Sequence, residues 1–169
     1  GRVRTGMIVP LSLTFSGDFA TLRTLLFGAY DGNWFSSFGR IPSALFSYDV
    51  RVRNTIHIAS RSGHADGNHT TRLHRWFDSQ RPHLFHLLQH ASFTPSTWAN
   101  VIPKVDSQKL TAALEAAALR GDGTVSSFMS PRANDNKLYF KSTAYNWLAF
   151  SYEPPPCYDT SNRAIPQTQ

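Results

Sequence analysis

One segment, residues 50–59, restricts the folds open to this chain more than any other. Apolar and polar side chains alternate along it: Val50, Val52, Ile56 and Ile58 against Arg51, Arg53, Thr55 and His57. A period of two matches the alternation of side chains across a β-strand. The segment therefore predicts a long strand in a sheet, with its apolar face buried and its polar face outward.

The residues before this strand predict an α/β fold class. Met7–Pro10 is a short apolar run of the kind that forms a buried parallel strand. Ser16 can then cap a helix whose apolar positions Phe19, Leu22 and Leu26 share one face. A strand followed by a helix is the repeating unit of an α/β sheet.

The next stretches predict an extended segment, a loop and then helices. Trp34–Phe38 is predicted to be extended, and Gly39–Pro42 to be a turn or loop. Thr70–Phe77 and Pro82–His90 are typical of two short helical pieces. The irregular composition that follows places a predicted domain boundary between residues 91 and 92.

Asp106–Arg120 is the clearest helix in the sequence, because it is rich in alanine and is followed by Gly121. The stripe expected to face the core consists of Leu110, Leu114 and Ala117. Two strand-like runs follow, at Lys137–Lys141 and Asn146–Tyr152.

The charge of the chain favours a polyanionic partner. There are 17 lysines and arginines against 11 acidic residues, and the pI is near 9.8. Most of the cations are arginines, whose planar guanidinium groups suit phosphates and base edges. The sequence contains no signal peptide or membrane-spanning run, and Cys157 is its one cysteine. We therefore expect a cytoplasmic protein with no membrane partner.

A metal site is not expected from the histidines of the chain. His83, His86 and His90 have helical spacing, but neither a cysteine nor a carboxylate lies near them in the sequence. Histidines on a polar face are the more common explanation, so the predicted metal content is none.

Two stretches, residues 40–46 and 70–85, interleave arginines with large aromatic side chains. Aromatic rings beside cations can stack on a flipped or unpaired base and hold its phosphates. The competing interpretation is that Phe46, Trp76 and Phe85 are core residues, and for any single one of them it is the better interpretation.

At these residues the sequence resembles the C-terminal half of the methylase domain of adenine-specific (N6) DNA methyltransferases, especially type IIG-like restriction–modification enzymes. The landmarks occur in the family's order. They are Gly6–Ser12 with Phe19 and Leu22-Arg23, then Ser36–Phe38, Pro42-Ser43, Leu45-Phe46, Val50, Arg53 and Ile56, then Thr70-Thr71, Arg75-Trp76, Arg81 and Leu84-Phe85, and finally Tyr139–Lys141 and Tyr145–Trp147.

The resemblance implies part of a class I methyltransferase (Rossmann-like) sheet with a late β-hairpin, followed by the start of a target-recognition region. Residues 1–91 would be the C-terminal part of the catalytic domain. Residues 92–169 would be a linker, a helix and the start of the DNA-binding region.

The glycine-rich cofactor loop, the acidic ribose ligand and the catalytic Pro-Pro-aromatic loop of the family have no counterpart in these 169 residues. In the family they precede the part that this chain resembles. We therefore expect a fragment, inactive by itself, of a parent protein that uses S-adenosylmethionine. No catalytic residue is expected within it.

The resemblance also implies roles for particular residues. Phe46 would stack on the flipped adenine. Phosphate contacts are expected from Arg40, Arg51 and Arg53. DNA-backbone contacts or structural ion pairs are expected from Arg72, Arg75 and Arg81, and Lys141 is a weaker candidate for DNA binding. The partners would be double-stranded DNA and the remainder of the parent polypeptide, in the cytoplasm of a prokaryotic cell.

Two other functions fit the sequence less well. One is a non-catalytic nucleic-acid-binding module whose aromatic and basic residues merely resemble the methylase hairpin. The other is an unrelated α/β structural domain, which leaves the ordered landmarks unexplained.

Overall fold

The computed structural model describes residues 3–46, 52–64 and 66–119, and three short strands at 137–140, 150–151 and 164–166. The chain forms two compact units, Gly1–Arg120 and Gly121–Gln169. The first unit continues past residue 91, and the functional boundary expected there stays a prediction.

The first unit is a mixed α/β structure built on one five-stranded sheet. Its strands and helices are β1 Val3–Pro10, α1 Ala20–Ala29, β2 Gly32–Phe38, β3 Asn54–Arg61, β4 Gly67–His74, β5 Ala91–Ser92 and α2 Gln108–Leu119. Short 3-10 segments lie at Leu11–Thr14, Gly17–Phe19, Asp78–Leu87 and Pro95–Trp98. The predicted α/β class is confirmed at this level.

The sheet has the strand order β1-β3-β2-β4-β5. Strand β3 is antiparallel to both β1 and β2, whereas β2 and β4 are parallel and β5 is antiparallel to β4. Consequently β1, β2 and β4 run in the same direction. The expectation that Met7–Pro10 forms a buried parallel strand was wrong, because β1 is an edge strand beside an antiparallel neighbour.

The strand predicted at residues 50–59 exists as β3, but the prediction that its polar face points outward was wrong. Thr55, His57 and Ala59 are buried, whereas the side chain of Ile58 is 50% exposed. Hydrogen bonds make this possible, because the Thr55 hydroxyl lies 2.9 Å from that of Ser37. The polar face of β3 is therefore buried with most of its groups hydrogen-bonded, although His57 Nδ1 has no partner among the described residues. The apolar face is partly covered, because Ile56 packs against the buried cluster of Phe38, Trp76 and Leu84.

One of two core clusters lies on the polar face of β3. Phe35, Phe93 and Ile102 are buried there, and Phe27 and Trp98 pack against them. Buried Arg23 of α1 joins the helix to the loops around it. Its guanidinium donates to the backbone oxygens of Leu13, Ser16 and Asn100 at 2.7–3.0 Å.

The helix predicted at Thr70–Phe77 was wrong, because most of this segment is β4. Thr70 and Thr71 are β-branched and suit a strand. Their side chains are buried and hydrogen-bonded, Thr70 donating to the Pro103 oxygen at 2.6 Å and Thr71 accepting from the Ser37 N–H at 3.0 Å. The segment is therefore a strand because it pairs with the side of β2 that β3 does not occupy.

The helix predicted at Asp106–Arg120 is confirmed as α2, but its predicted buried stripe was wrong. Leu110 and Leu114 are 46% and 39% exposed, and Ala117 is exposed too. The buried residue is Thr111. Beside it, Glu115 accepts hydrogen bonds from the Trp98 indole N–H and from the Thr94 backbone N–H. Polar contacts with residues 94–98 decide which side of α2 faces inward.

The remaining expectations had mixed outcomes. β2 confirms the extended segment at Trp34–Phe38, and α1 confirms a helix after Ser16, although Leu22 is 43% exposed. Pro82–His90 is largely 3-10 helix. In the second unit, Lys137–Phe140 lies between Phe150–Ser151 and Ala164–Pro166 in an antiparallel sheet. No helix among the described residues has the length and apolarity to cross a membrane.

Candidate nucleic-acid interface

The carboxyl ends of β1, β2 and β4 meet at one edge of the sheet, where β3 begins. We call this the carboxyl edge. Phe38, at the end of β2, is in register with both Asn54 and His74. Ligands of open α/β sheets bind outside the carboxyl ends of the strands. The carboxyl edge is therefore the first place to look for a site.

Three predicted arginines extend from this edge. Arg40 follows β2 by two residues, Arg53 directly precedes β3, and Arg75 directly follows β4. All three are exposed. None of them forms an ion pair with another residue of the described ranges. Three unneutralised cations at one edge can hold phosphate groups.

Hydrogen bonds attach the loop after β2 to the chain that follows β4 between Gly39 and Leu45. The Gly39 N–H donates to the His74 oxygen at 2.7 Å, and the Ser43 N–H donates to the Trp76 oxygen at 3.1 Å. These bonds tie the loop to the chain that follows β4. Phe46 lies near the end of the described part of the loop and is 44% exposed.

Arg81 completes the attachment of the loop. Its guanidinium donates to the backbone oxygens of Ala44 and Leu45, each at 3.1 Å. It also contacts the Asp78 carboxylate at 2.9 Å. Arg81 therefore has a structural role, and of the two roles that the sequence left open for it, the ion pair is present.

Arg72 also forms an ion pair, because its guanidinium lies 3.3 Å from the Asp106 carboxylate. Arg75, which was predicted together with Arg72 and Arg81, forms no ion pair among the described residues. Arg51 and Lys141 lie outside the described residues. The structure thus brings Arg40, Arg53 and Arg75 together at the carboxyl edge and gives Arg72 and Arg81 acidic partners.

The aromatic residues near the edge divide into core and surface. Trp76 is 1% exposed and packs with Phe38 and Leu84, so the core interpretation holds for it. Phe46 is 44% exposed, and Phe77 and Phe85 are each 63% exposed. Phe77 was missed by the sequence reasoning. No sequence signal marks it, because its exposure depends on how the residues after β4 pack.

Two buried histidines have lowered pKa values. Burial lowers the pKa of His57 to about 4, and its Nε2 lies 2.9 Å from the Asn33 side-chain oxygen. Burial, followed by the charge of Arg72, lowers the pKa of His74. Both rings are therefore neutral at pH 7. Among the described residues, no group of three His, Cys, Asp or Glu side chains is arranged to hold a metal ion.

Comparison of the chain with protein-family models, with curated proteins and with solved structures gives no match.

Proposed function

We propose that this chain is part of an S-adenosylmethionine-dependent DNA adenine-N6 methyltransferase of the restriction–modification type. It would contribute the target-base side of the site and part of the DNA contacts. The observation that carries the proposal is the carboxyl edge. There, Arg40, Arg53 and Arg75 lie exposed at the strand ends, and the loop that follows β2 carries the exposed ring of Phe46.

The topology supports the proposal. The family resemblance implies a late β-hairpin in a Rossmann-like sheet. β2 and β3 are antiparallel neighbours joined by the loop that carries Phe46, and β3 lies between β1 and β2. The strand and helix that the resemblance places before the hairpin correspond to β1 and α1.

The proposed role of the edge follows from its chemistry. Removing adenine from the duplex costs a few kcal/mol, and stacking against an aromatic ring offsets part of that cost. Phe46 supplies an exposed ring for this purpose. The three arginines neutralise phosphates on either side of the extruded nucleotide and thereby fix its position.

The described residues do not fit S-adenosylmethionine. β1 leads directly into the 3-10 segment Leu11–Thr14, whose Leu11, Leu13 and Thr14 are buried. No open glycine-rich turn follows this strand. We therefore assign the cofactor, and the methyl transfer it supplies, to the remainder of the parent polypeptide, which is the second proposed partner besides double-stranded DNA.

A fluorescent base tests the role of Phe46. The chain is titrated with duplexes that carry 2-aminopurine at the target position opposite an abasic site, where extrusion costs least. We expect binding to change the 2-aminopurine fluorescence, and Phe46→Ala to reduce that change while Phe46→Trp preserves it. Leu114→Ala, a change on the exposed face of α2, serves as the matched control.

A non-catalytic module gives a different result. It would bind single strands more tightly than duplexes, with no fluorescence change at the target position in duplex DNA. The coding DNA upstream of Gly1 supplies an independent test. A glycine-rich loop followed by an Asn/Asp-Pro-Pro-Tyr/Phe loop in the same frame is expected, and an upstream frame that encodes neither argues against the methyltransferase.

A further inference from the structure

A cleft of about 740 Å³ lies on the face of the sheet that bears the apolar side of β3. The sheet supplies Trp34, Ile56 and Ile58, and the chain after β4 supplies Phe85 and Leu88. Polar lining residues are Arg4, Ser36, Ser60, Ser62, Asp66 and His90. This volume falls within the range of small-molecule sites, which are mainly apolar and have a few polar groups.

The apolar surface of the cleft is already formed. Ile58 is 50% exposed and Phe85 is 63% exposed, so both side chains have apolar surface that a ligand can contact. The Trp34 ring stacks on His69, with ring centroids 5.3 Å apart and planes 8° from parallel. Aromatic and branched side chains held in this way offer a flat surface to a ring.

Most polar groups of the cleft already have partners. Ser36 Oγ lies 3.1 Å from His90 Nε2. The Asp66 carboxylate accepts hydrogen bonds from the hydroxyls of Ser60 and Ser62, at 2.9 and 3.3 Å. Arg4, in contrast, is exposed and forms no ion pair within the described ranges. Its positive charge is therefore available to a ligand.

We propose that the cleft binds a small aromatic anion, with its ring on Trp34 and Ile58 and its carboxylate or sulfonate beside Arg4. The apolar lining selects the ring. Arg4 selects the anion, because the other charged lining residue, Asp66, is already bonded to the hydroxyls of Ser60 and Ser62. None of the arginines of the carboxyl edge lines this cleft. The inference is therefore separate from the proposed function and stands or falls independently of DNA binding.

Two matched probes test the proposal by titration calorimetry on the full chain. They are 2-naphthoate and its neutral analogue 2-naphthylmethanol. We expect the anion to bind roughly fivefold more tightly, as for a partly exposed charge pair. Arg4→Gln should remove this preference and leave the alcohol unaffected. Ile58→Ser should weaken both probes.

Arg61→Gln is the matched control for Arg4→Gln. Arg61 is exposed at the end of β3, where alternation places it on the opposite face from Ser60, and it does not line the cleft. The preference should survive this change. Equal affinities for the two probes, or a preference that persists in Arg4→Gln, would overturn the proposal. The proposal would also be overturned if binding of 2-naphthoate does not saturate and the chain instead forms a concentration-dependent dimer that Ile58→Ser abolishes. The cleft would then be a contact between two copies of the chain.

Discussion

The guanidinium of Arg81 lies over the indole of Trp76, with its central carbon 4.7 Å from the ring centroid. The same guanidinium donates to the backbone oxygens of Ala44 and Leu45. One side chain thus joins the buried tryptophan of the carboxyl edge to the loop that carries Phe46. This contact, together with the hydrogen bonds of the Gly39 and Ser43 N–H groups, attaches the described part of the loop to the chain that follows β4.

Replacing Arg81 should release the loop. Arg81→Gln and Arg81→Lys both lose the two-pronged contact, and we expect a loss of stability of about 1 kcal/mol. Hydrogen exchange should quicken in both variants at the Ser43 amide, which donates to the Trp76 oxygen. Arg72→Gln removes an ion pair distant from the loop and should leave this exchange unchanged. Unaltered exchange in Arg81→Gln would contradict the proposed attachment.

The three arginines of the carboxyl edge should contribute to DNA affinity through their charge. Arg40→Gln, Arg53→Gln and Arg75→Gln should each lower the slope of log affinity against log salt concentration by roughly 1. Arg72 already has an acidic partner, so Arg72→Gln should change the slope less. Fluorescence anisotropy across a range of salt concentrations provides the measurement. Equal effects of all four substitutions would argue against a localised interface.

His57 should make the protein less stable in acid. Its pKa falls from 6.5 to about 4 on folding, so the folded state prefers the neutral ring. The corresponding stability is complete above pH 6.5 and is lost as the pH falls towards about 4, by about 3 kcal/mol. Urea unfolding at several pH values should show this loss.

His57→Gln should flatten that pH dependence, because glutamine does not titrate. The matched control is His83→Gln, which alters an exposed histidine of the segment Asp78–Leu87. The control should keep the wild-type profile. A His57→Gln variant with an unchanged profile would show that another group causes the acid sensitivity.

Gly32 should not tolerate a side chain. A Cβ at this position would lie 2.6 Å from Cη2 of Trp34 and 2.6 Å from Cβ of Asp66. Gly32→Ala should therefore lower the free energy of unfolding by about 1–3 kcal/mol. Gly6→Ala is the control in the neighbouring region of the sheet, because nothing lies within 4 Å of its added Cβ. Urea unfolding should give a clearly lower free energy of unfolding for Gly32→Ala than for Gly6→Ala.

The inward face of α2 can be tested in the same way. Glu115→Ala removes the acceptor for the Trp98 indole and the Thr94 N–H, and should lower stability by about 1–2 kcal/mol. Leu114→Ala alters an exposed side chain and should change stability by less than about 0.5 kcal/mol. A larger loss of stability in Leu114→Ala than in Glu115→Ala would show that the leucine stripe is the buried face of α2.

Local pattern predicted several elements correctly because their causes lie within the segment itself. The alternation after Val52 predicts a strand, and the alanine-rich run before Gly121 predicts a helix. The same pattern could not tell which face would be buried. For β3 that choice depends on Ser37, and for α2 it depends on Trp98, neither of which is a neighbour in the sequence.

The candidate site shows the same division. The sequence predicted roles for Arg40, Arg53 and Phe46 in binding DNA, which stay predictions, and it left Arg72 and Arg81 between two roles. Their acidic partners, Asp106 and Asp78, are selected by the path of the folded chain. Phe77 was missed because its exposure depends on how the residues after β4 pack.

The sequence by itself determined a basic α/β chain, the existence of β2, β3 and α2, and an arginine-rich loop after β2. Such features arise from composition and from the period of side chains along the backbone. The tertiary structure decided that Thr70–His74 is a strand, that the polar face of β3 is buried and that three unpaired arginines meet at one edge. These outcomes depend on contacts between segments far apart in sequence, where a hydrogen-bond partner or a free strand edge overrides local preference.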